Sequence, residues 1–165
     1  MKQIRQNVFE TNSSSTHAFC ISKSKELDIP EKMFIEFGEF GWEFAKLDTP
    51  EEKASYLYTG FMNYSNNCED VKNQIFEWLS DEGIDVEFQQ AQPETEDTWH
   101  NMGYIDHGGE YMYFINDVVN SKKKLMRFLF NKDSFVLTGN DNSDDPDWWA
   151  KDAAKCNYKT DEIDW

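Results

Sequence analysis

The feature that most constrains this chain is a long stretch without positive charge, because neither lysine nor arginine occurs between Lys72 and Lys122. The acids of that stretch are Glu77, Asp81, Glu82, Asp85, Glu87, Glu94, Glu96, Asp97, Asp106, Glu110 and Asp117. The whole chain has 32 acidic against 16 basic residues, a net charge of −16, and 16% aromatic residues. Disordered acidic segments are poor in aromatics. The sequence therefore predicts a folded domain with an acidic surface.

This charge narrows the classes of binding partner. A polyphosphate backbone repels an acidic surface, so direct contact with nucleic acid is not expected. A basic protein is attracted to such a surface, and the nucleic-acid groove of another protein is one example. We therefore expect a basic protein partner.

The length and the apolar pattern predict the organisation. A chain of 165 residues fits one domain, so we expect a single acidic domain over residues 1–165 with a loose tail from about residue 148. No segment approaches the roughly 20 apolar residues that cross a bilayer, so we expect a cytoplasmic protein without membrane contact. Cys20, Cys68 and Cys156 are odd in number and far apart, which predicts reduced, buried thiols.

Alternation of apolar and polar residues predicts strands at residues 2–8, 16–22 and 33–44, the first two pairing as a hairpin. In the third, Phe40, Trp42 and Phe44 alternate with Glu39 and Glu43, giving an aromatic face and an acidic face. Residues 84–88 read as an antiparallel strand facing water on one side, and residues 134–138 as a last strand.

Helices are predicted by capping signals and spacing. Thr49-Pro50-Glu51-Glu52 is a capping box with proline at the first helical position, and this helix should bury Leu57 and Phe61. A second helix runs from Asn67 to Gly83, a third follows the spacing over residues 115–129, and a short one lies in the last eighteen residues. The sum is an α+β domain with an antiparallel or mixed sheet and about three helices.

A polar string lies near the N-terminus: Phe9-Glu10-Thr11-Asn12-Ser13-Ser14-Ser15-Thr16-His17. It resembles the opening of a group of uncharacterised proteins of phages and mobile elements of Gram-positive bacteria, which begin with a similar Phe-Glu-Thr-Asn-Ser-Ser-Ser-x-His string. The resemblance covers about the first twenty residues. It implies a mobile-element origin and the cytoplasm of a bacterial host, and it transfers no activity.

The same string allows an enzymatic interpretation. Its hydroxyls and backbone N–H groups suit an anion, with His17 as a general base beside Ser14 or Ser15. Asp106 and His107, next to the flexible pair Gly108-Gly109, are the distant candidates for completing such a site. The alternative function is therefore a small enzyme, or a nucleotide-binding or anion-binding protein. In the simpler interpretation, the serines form turns and the histidines are ordinary polar residues.

Metal binding has little support in the sequence. Asp141, Ser143, Asp145 and Asp152 match four positions of a calcium loop, but Pro146 stands where that loop needs glycine. The candidates for a zinc site are His17, His100 and His107, and no two of them have helix-face spacing. We predict no metal and no cofactor.

A second acidic group surrounds two tryptophans at residues 144–149. Tryptophan is common at binding hot spots, and neighbouring carboxylates would steer a basic partner. In the alternative interpretation these tryptophans close the core.

The preferred function is a non-enzymatic inhibitor that presents carboxylates where a host defence protein, such as a CRISPR effector or a restriction nuclease, expects phosphates. The predicted partner-binding residues are Glu77, Asp81, Glu82, Asp85, Glu87, Glu94, Glu96, Asp97, Asp144, Asp145, Asp147, Trp148 and Trp149. A basic stretch over residues 122–132 has three interpretations. It is a solvated helix face, it neutralises part of the acidic surface within the fold, or it forms a homodimer contact.

Overall fold

A computed structural model describes residues 15–91, 101–140 and 144–156. Its strands are β1 (Ser15–Cys20), β2 (Lys32–Ile35), β3 (Glu39–Phe40), β4 (Ala45–Leu47), β5 (Asp85–Phe88), β6 (Tyr104–Ile105) and β7 (Phe135–Asn140). Its helices are α1 (Pro50–Tyr64), α2 (Cys68–Asp81), α3 (Met112–Val119), α4 (Lys122–Phe130) and α5 (Asp147–Ala153), with a 3-10 turn at Gly108–Tyr111. The predicted α+β class is confirmed.

The strands form three small sheets. β7 is central in an antiparallel sheet of order β1-β7-β4, while β2 pairs with β5 and β3 pairs with β6, both in parallel. The predicted hairpin partner of β1, residues 2–8, lies outside the described residues, and the described partner of β1 is β7. The prediction that residues 84–88 are antiparallel is wrong. They follow α1 and α2, which return the chain to the starting end of β2, so the pairing is parallel.

The predicted strand over residues 33–44 is interrupted. Its first part is β2 and its second is the two-residue β3, followed by a bend. The backbone N–H of Gly38 donates to the hydroxyl of Thr59 in α1 at 3.0 Å, and Gly41 has φ +105°, a conformation that favours glycine. The chain therefore turns over α1 instead of continuing along one sheet.

The predicted helices lie where the structure has helices, but the described residues form five α-helices and not about three. Thr49 caps α1 with the reciprocal hydrogen bonds to Glu52, and Leu57 and Phe61 are buried. The helix predicted over residues 115–129 is two helices in the structure. They separate at Asn120 and Ser121, where the Ser121 hydroxyl accepts the N–H of Lys124 and begins α4.

The core lies between the helices α1 to α4 and the sheets. Phe19 of β1 stacks on Phe114 of α3 at 3.8 Å, which joins the long antiparallel sheet to the helices. A smaller cluster around Leu137 and Trp149 lies beyond β7. Within the described ranges, no helix has the length and apolar character needed to span a bilayer.

Candidate acidic groove

A concave surface is formed where residues 36–45 fold over the first half of α1. It is a groove of about 490 Å³, and we call it the glutamate groove. The carboxylates that line it are Glu36, Glu39, Glu43, Glu51 and Glu52. All five residues are exposed. The groove therefore concentrates negative charge at one place on an already acidic molecule.

Among the described residues, no lysine, arginine or histidine lies within ion-pair distance of the glutamates of the groove. Neither lysine nor arginine is among the described residues that line the groove, and within that part of the chain none of the five carboxylates forms an ion pair. Glu51 and Glu52 lie in the first turn of α1, where the helix dipole favours negative charge. Glu52 also accepts the Thr49 N–H. The remaining negative charge is available to a ligand.

The floor of the groove is apolar and continuous with the core. Phe37 stacks on Tyr58 of α1 at 4.4 Å, and Phe40 packs edge-on against Tyr56 at 5.3 Å. Leu47 completes the floor. A ligand that fits must therefore combine a positive charge with an apolar stem, as lysine and arginine side chains do.

Trp42 extends the groove toward β6. Its side chain is 54% exposed, and its ring stacks on that of Tyr104 at 5.9 Å and 25°. Because Glu39 is the register partner of Tyr104 in the parallel pair β3 and β6, the side chains of Glu39 and Tyr104 share one side of this ribbon. A carboxylate and two aromatic rings thus lie side by side on the surface.

A second cavity, of about 410 Å³, lies on the other side of Tyr104. Its lining residues are Tyr64, Tyr104, Asp106, His107, Gly108, Gly109 and Glu110, and we call it the Asp106 cavity. Asp106 is only 6% exposed, and its Oδ1 accepts the Tyr104 hydroxyl at 3.0 Å. His107 Nδ1 lies 3.2 Å from Glu110 Oε1. This cavity is acidic too.

The residues of the predicted enzymatic alternative meet beneath Gly41. A Cβ placed on Gly41 would lie 2.8 Å from Asp106 Cβ, 3.0 Å from His17 Nε2 and 3.2 Å from Ser15 Cβ. The structure therefore brings Ser15, His17 and Asp106 together, with His107 next in the chain. Ser14 lies outside the described residues.

His17 is held as a neutral ring. Its Nδ1 lies 2.7 Å from the Tyr56 hydroxyl, and its ring stacks on Tyr111 at 4.1 Å and 2°. Burial, helped by the nearby His107, lowers the pKa of His17 from 6.5 to about 3. Protonation of this ring near neutral pH is therefore unfavourable.

The hydrogen bonding also favours one tautomer of His17. Nε2 is fully buried without a partner in the part of the chain that the structure describes. If the Tyr56 hydroxyl donates to Nδ1, only Nε2–H is left unpaired, whereas the reverse direction leaves both the Tyr56 O–H and Nε2 unpaired. The first arrangement is favoured, so Nε2 carries a proton and has no lone pair with which to act as a base.

Ser15 is also engaged in structural contacts. Its hydroxyl donates to the backbone carbonyl of Asp106 at 2.8 Å, and its own carbonyl accepts the Tyr111 hydroxyl at 2.7 Å. These bonds tie β1 to the segment after β6. They do not activate Ser15 as a nucleophile, which requires a base within reach of its proton.

The predicted acidic surface over residues 77–97 is partly neutralised. Glu77, Asp81, Glu82, Asp85 and Glu87 are exposed on α2, on the turn after it and on β5. Lys122 lies 2.8 Å from Glu82 and 3.8 Å from Asp81, and Lys32 lies 3.7 Å from Asp85. The basic stretch thus neutralises acids within the fold. Residues 94, 96 and 97 (Glu94, Glu96 and Asp97) lie outside the described part.

The tryptophan pair divides between core and surface. Trp149 is 4% exposed, and its indole N–H donates to the Thr138 carbonyl at 2.8 Å, so it closes the smaller core cluster. Trp148 is 44% exposed. Asp144, Asp145 and Asp147 are also exposed, so only Trp148 and these acids remain available to a partner.

The calcium-loop candidate loses its last ligand to lysines. Asp152 pairs with Lys46 at 3.0 Å and with Lys155, and these contacts hold its pKa below the usual range. Asp141, Ser143 and His100 lie outside the described residues. Within the described ranges, no group of three histidine, cysteine or acidic side chains is placed to hold a metal ion.

Sequence reasoning missed the glutamate groove as a site. The sequence shows that Glu39 and Glu43 alternate with aromatic residues. A regular strand with that pattern would have placed both glutamates on a flat face away from α1. The glycines at positions 38 and 41 were the signal that the chain bends there.

Comparisons with family models, with curated proteins and with solved structures find no match to this chain.

Proposed function

We propose that this protein is a non-enzymatic acidic binding protein that takes a basic surface of a partner protein into the glutamate groove. The observation that carries the proposal is a group of five carboxylates around an apolar floor with no cation among the described lining residues. Its wider role is inhibition of a host nucleic-acid-handling defence protein, such as a CRISPR effector or a restriction nuclease. In that role the carboxylates stand in for phosphates.

The charge of the whole molecule supports this proposal. A net charge of −16 repels nucleic acid and attracts basic proteins over distances near the Debye length, about 8 Å at physiological salt. The origin implied by the N-terminal string also supports it, because a mobile element benefits from blocking host defence. The polar string itself is not needed for binding in this proposal.

The glutamate groove suits a partner better than the acids at the end of α2 and the start of β5 do. Lysines already neutralise Asp81, Glu82 and Asp85, and a partner would have to displace them. The groove offers carboxylates that form no ion pair with a described residue, and they lie beside an exposed tryptophan, Trp42. Charge complementarity with aromatic contact is typical of protein interfaces.

The enzymatic and anion-binding alternative has less support. Ser15 donates to a backbone carbonyl, and the favoured tautomer of His17 has no free lone pair. The lining of the Asp106 cavity, which such a site would use, includes Asp106 and Glu110. Those charges disfavour a phosphate or a nucleotide.

The test is a pull-down from lysates of Gram-positive bacteria with the tagged protein and a groove variant, Glu36→Gln/Glu39→Gln/Glu43→Gln. We expect the wild type to retain a nuclease or nucleic-acid-binding protein at low salt and to release it at high salt, and the groove variant to retain little of it. Mass spectrometry identifies and quantifies the retained protein.

The matched control is Glu77→Gln/Asp81→Asn/Glu87→Gln, which removes the same number of charges from the other acidic surface. We expect this control to behave as the wild type does. Equal retention by the groove variant and the wild type would contradict the proposal, and so would a loss of retention confined to the control variant.

A further inference from the structure

We propose that the Asp106 cavity receives the guanidinium group of an arginine from the basic partner. This inference rests on the proposed function, since it names the side chain by which that partner is recognised. It concerns a cavity that adjoins the glutamate groove across the stacked rings of Trp42 and Tyr104.

The first observation is a buried carboxylate that has no counter-ion among the described residues. Asp106 is 6% exposed, and no lysine or arginine of the described chain lies within ion-pair distance of it. Buried carboxylates in proteins are normally paired with a cation. Its Oδ1 accepts the Tyr104 hydroxyl, and no described residue donates to Oδ2. A cation from outside the chain would supply the missing partner.

The free oxygen of Asp106 remains in contact with the cavity. Among the described side-chain polar atoms, only His17 Nε2 is both fully buried and without a partner. Asp106 Oδ2 therefore keeps some contact with the space that the carboxyl group lines. The Tyr104 hydroxyl fixes the orientation of the carboxylate, so no rearrangement is needed when the cation arrives.

The second observation is the aromatic wall of the cavity. Tyr64 and Tyr104 both line it, and Tyr104 lies against Trp42. The hydroxyl of Tyr64 donates to the Ile105 carbonyl at 3.3 Å, which holds that ring at the rim. Cations bind over such rings, and Glu110, also in the lining, adds a second carboxylate.

These features favour arginine over lysine. A guanidinium is planar and weakly hydrated, stacks on aromatic rings and donates two parallel hydrogen bonds to carboxylates. An ammonium is a compact, strongly hydrated charge, and it would lose more of its hydration in a cavity walled by tyrosines. The glutamate groove attracts any basic segment, whereas the Asp106 cavity selects for arginine.

The test measures the affinity of the full chain for two peptides of equal length and charge, one of arginines and glycines and the other of lysines and glycines. Isothermal titration at fixed salt gives both dissociation constants. We expect the arginine peptide to bind about tenfold more tightly, and Asp106→Asn to remove most of this preference. This variant keeps the shape and an acceptor for Tyr104, and its melting curve reports whether it folds.

The matched control is Glu69→Gln, an exposed acid on α2, and it should keep the preference for arginine. Equal affinity of the wild type for both peptides would overturn the inference, and so would an unchanged preference in folded Asp106→Asn. In either case the proposed function stands if both peptides bind to the wild type and bind more weakly to Glu36→Gln/Glu39→Gln/Glu43→Gln. Failure of both peptides to bind would instead contradict the proposed function.

Discussion

His17 shows how a partly buried polar residue couples β1 to two helices. Its Nδ1 reaches Tyr56 of α1, and its ring stacks on Tyr111 at the start of α3. The pKa lowered to about 3 follows from burial, so charging this residue opposes folding. His17 therefore stabilises the structure only while it is neutral.

This burial makes stability depend on pH. In the unfolded chain His17 titrates near 6.5 and in the folded chain near 3, so between these values the unfolded state binds more protons. Stability therefore falls as pH drops below about 6.5. Between pH 7 and 5.5, we expect His17 to account for a loss of about 1 kcal/mol in the free energy of unfolding, measured by urea titration.

The variant His17→Gln should lack this contribution, because glutamine does not titrate. Its loss of unfolding free energy between the two pH values should be about 1 kcal/mol smaller than that of the wild type. Replacing the partly exposed His107 by glutamine is the control for the other described histidine. An identical pH dependence in wild type and His17→Gln would show that His17 is not buried as described.

Gly41 packs against the group formed by Ser15, His17 and Asp106. We expect Gly41→Ala to lower the free energy of unfolding by about 2 kcal/mol or more, since a Cβ there meets Asp106 and His17 at an unfavourable positive φ. Gly83→Ala is the matched control, with φ +84° and no atom within 4 Å of the added Cβ, and should lose only about 1 kcal/mol. Equal losses by chemical denaturation would contradict the described packing beneath Gly41.

For single residues, the sequence predicted which side chains lie close together better than it predicted their hydrogen-bonding roles. Ser15, His17 and Asp106 were predicted as one group, and the structure brings them together. Their roles depend on Tyr56 and Tyr111, which occupy other elements far along the chain. A hydrogen bond to either could not be predicted from the composition of the string at residues 9–17.

At the scale of elements, local signals were reliable and pairing was not. The capping box at Thr49 and the glycine after α2 define the helix ends observed. The parallel pairing of β2 with β5 depends on how α1 and α2 pack, which no local pattern contains. The apolar residues keep helical spacing through residues 115–129. The only sequence signal for the break between α3 and α4 is therefore Ser121, a residue type that commonly caps helices.

The cap of α1 gives a prediction for this element. Thr49→Ala removes the side-chain acceptor for the Glu52 N–H, at 3.3 Å, and should lower the free energy of unfolding by about 1 kcal/mol. Thr49→Ser keeps the acceptor, so its free energy of unfolding should fall by only about 0.3 kcal/mol. Urea titrations of the three proteins test this, and equal stability of Thr49→Ala and the wild type would show that the cap contributes nothing.

At the scale of the whole molecule, the acids divide into paired and unpaired groups. Lysines of β2 and α4 neutralise carboxylates on α2 and β5, whereas the glutamate groove has no such partner among the described residues. Acidity by itself could be predicted from composition. Its concentration over one apolar floor depends on the path of residues 36–45 around α1.

The glutamates of the groove, which form no ion pair with a described residue, should lower the stability of the fold. Replacing Glu36, Glu39 and Glu43 by glutamine removes mutual repulsion, so we expect the melting temperature to rise at low salt. The rise should shrink as salt screens the charges. A fall in melting temperature, measured by circular dichroism at low and high salt, would indicate that these carboxylates have stabilising partners instead.

The most direct test of the account locates a basic ligand on the surface by NMR. Amide resonances of the labelled protein are followed while an arginine-rich peptide is added. We expect the shifted resonances to cluster at residues 36–43, at the start of α1 and at residues 104–110. Shifts confined to α2 and β5, or the absence of any shift, would contradict the claim that the glutamate groove and the Asp106 cavity form the binding surface.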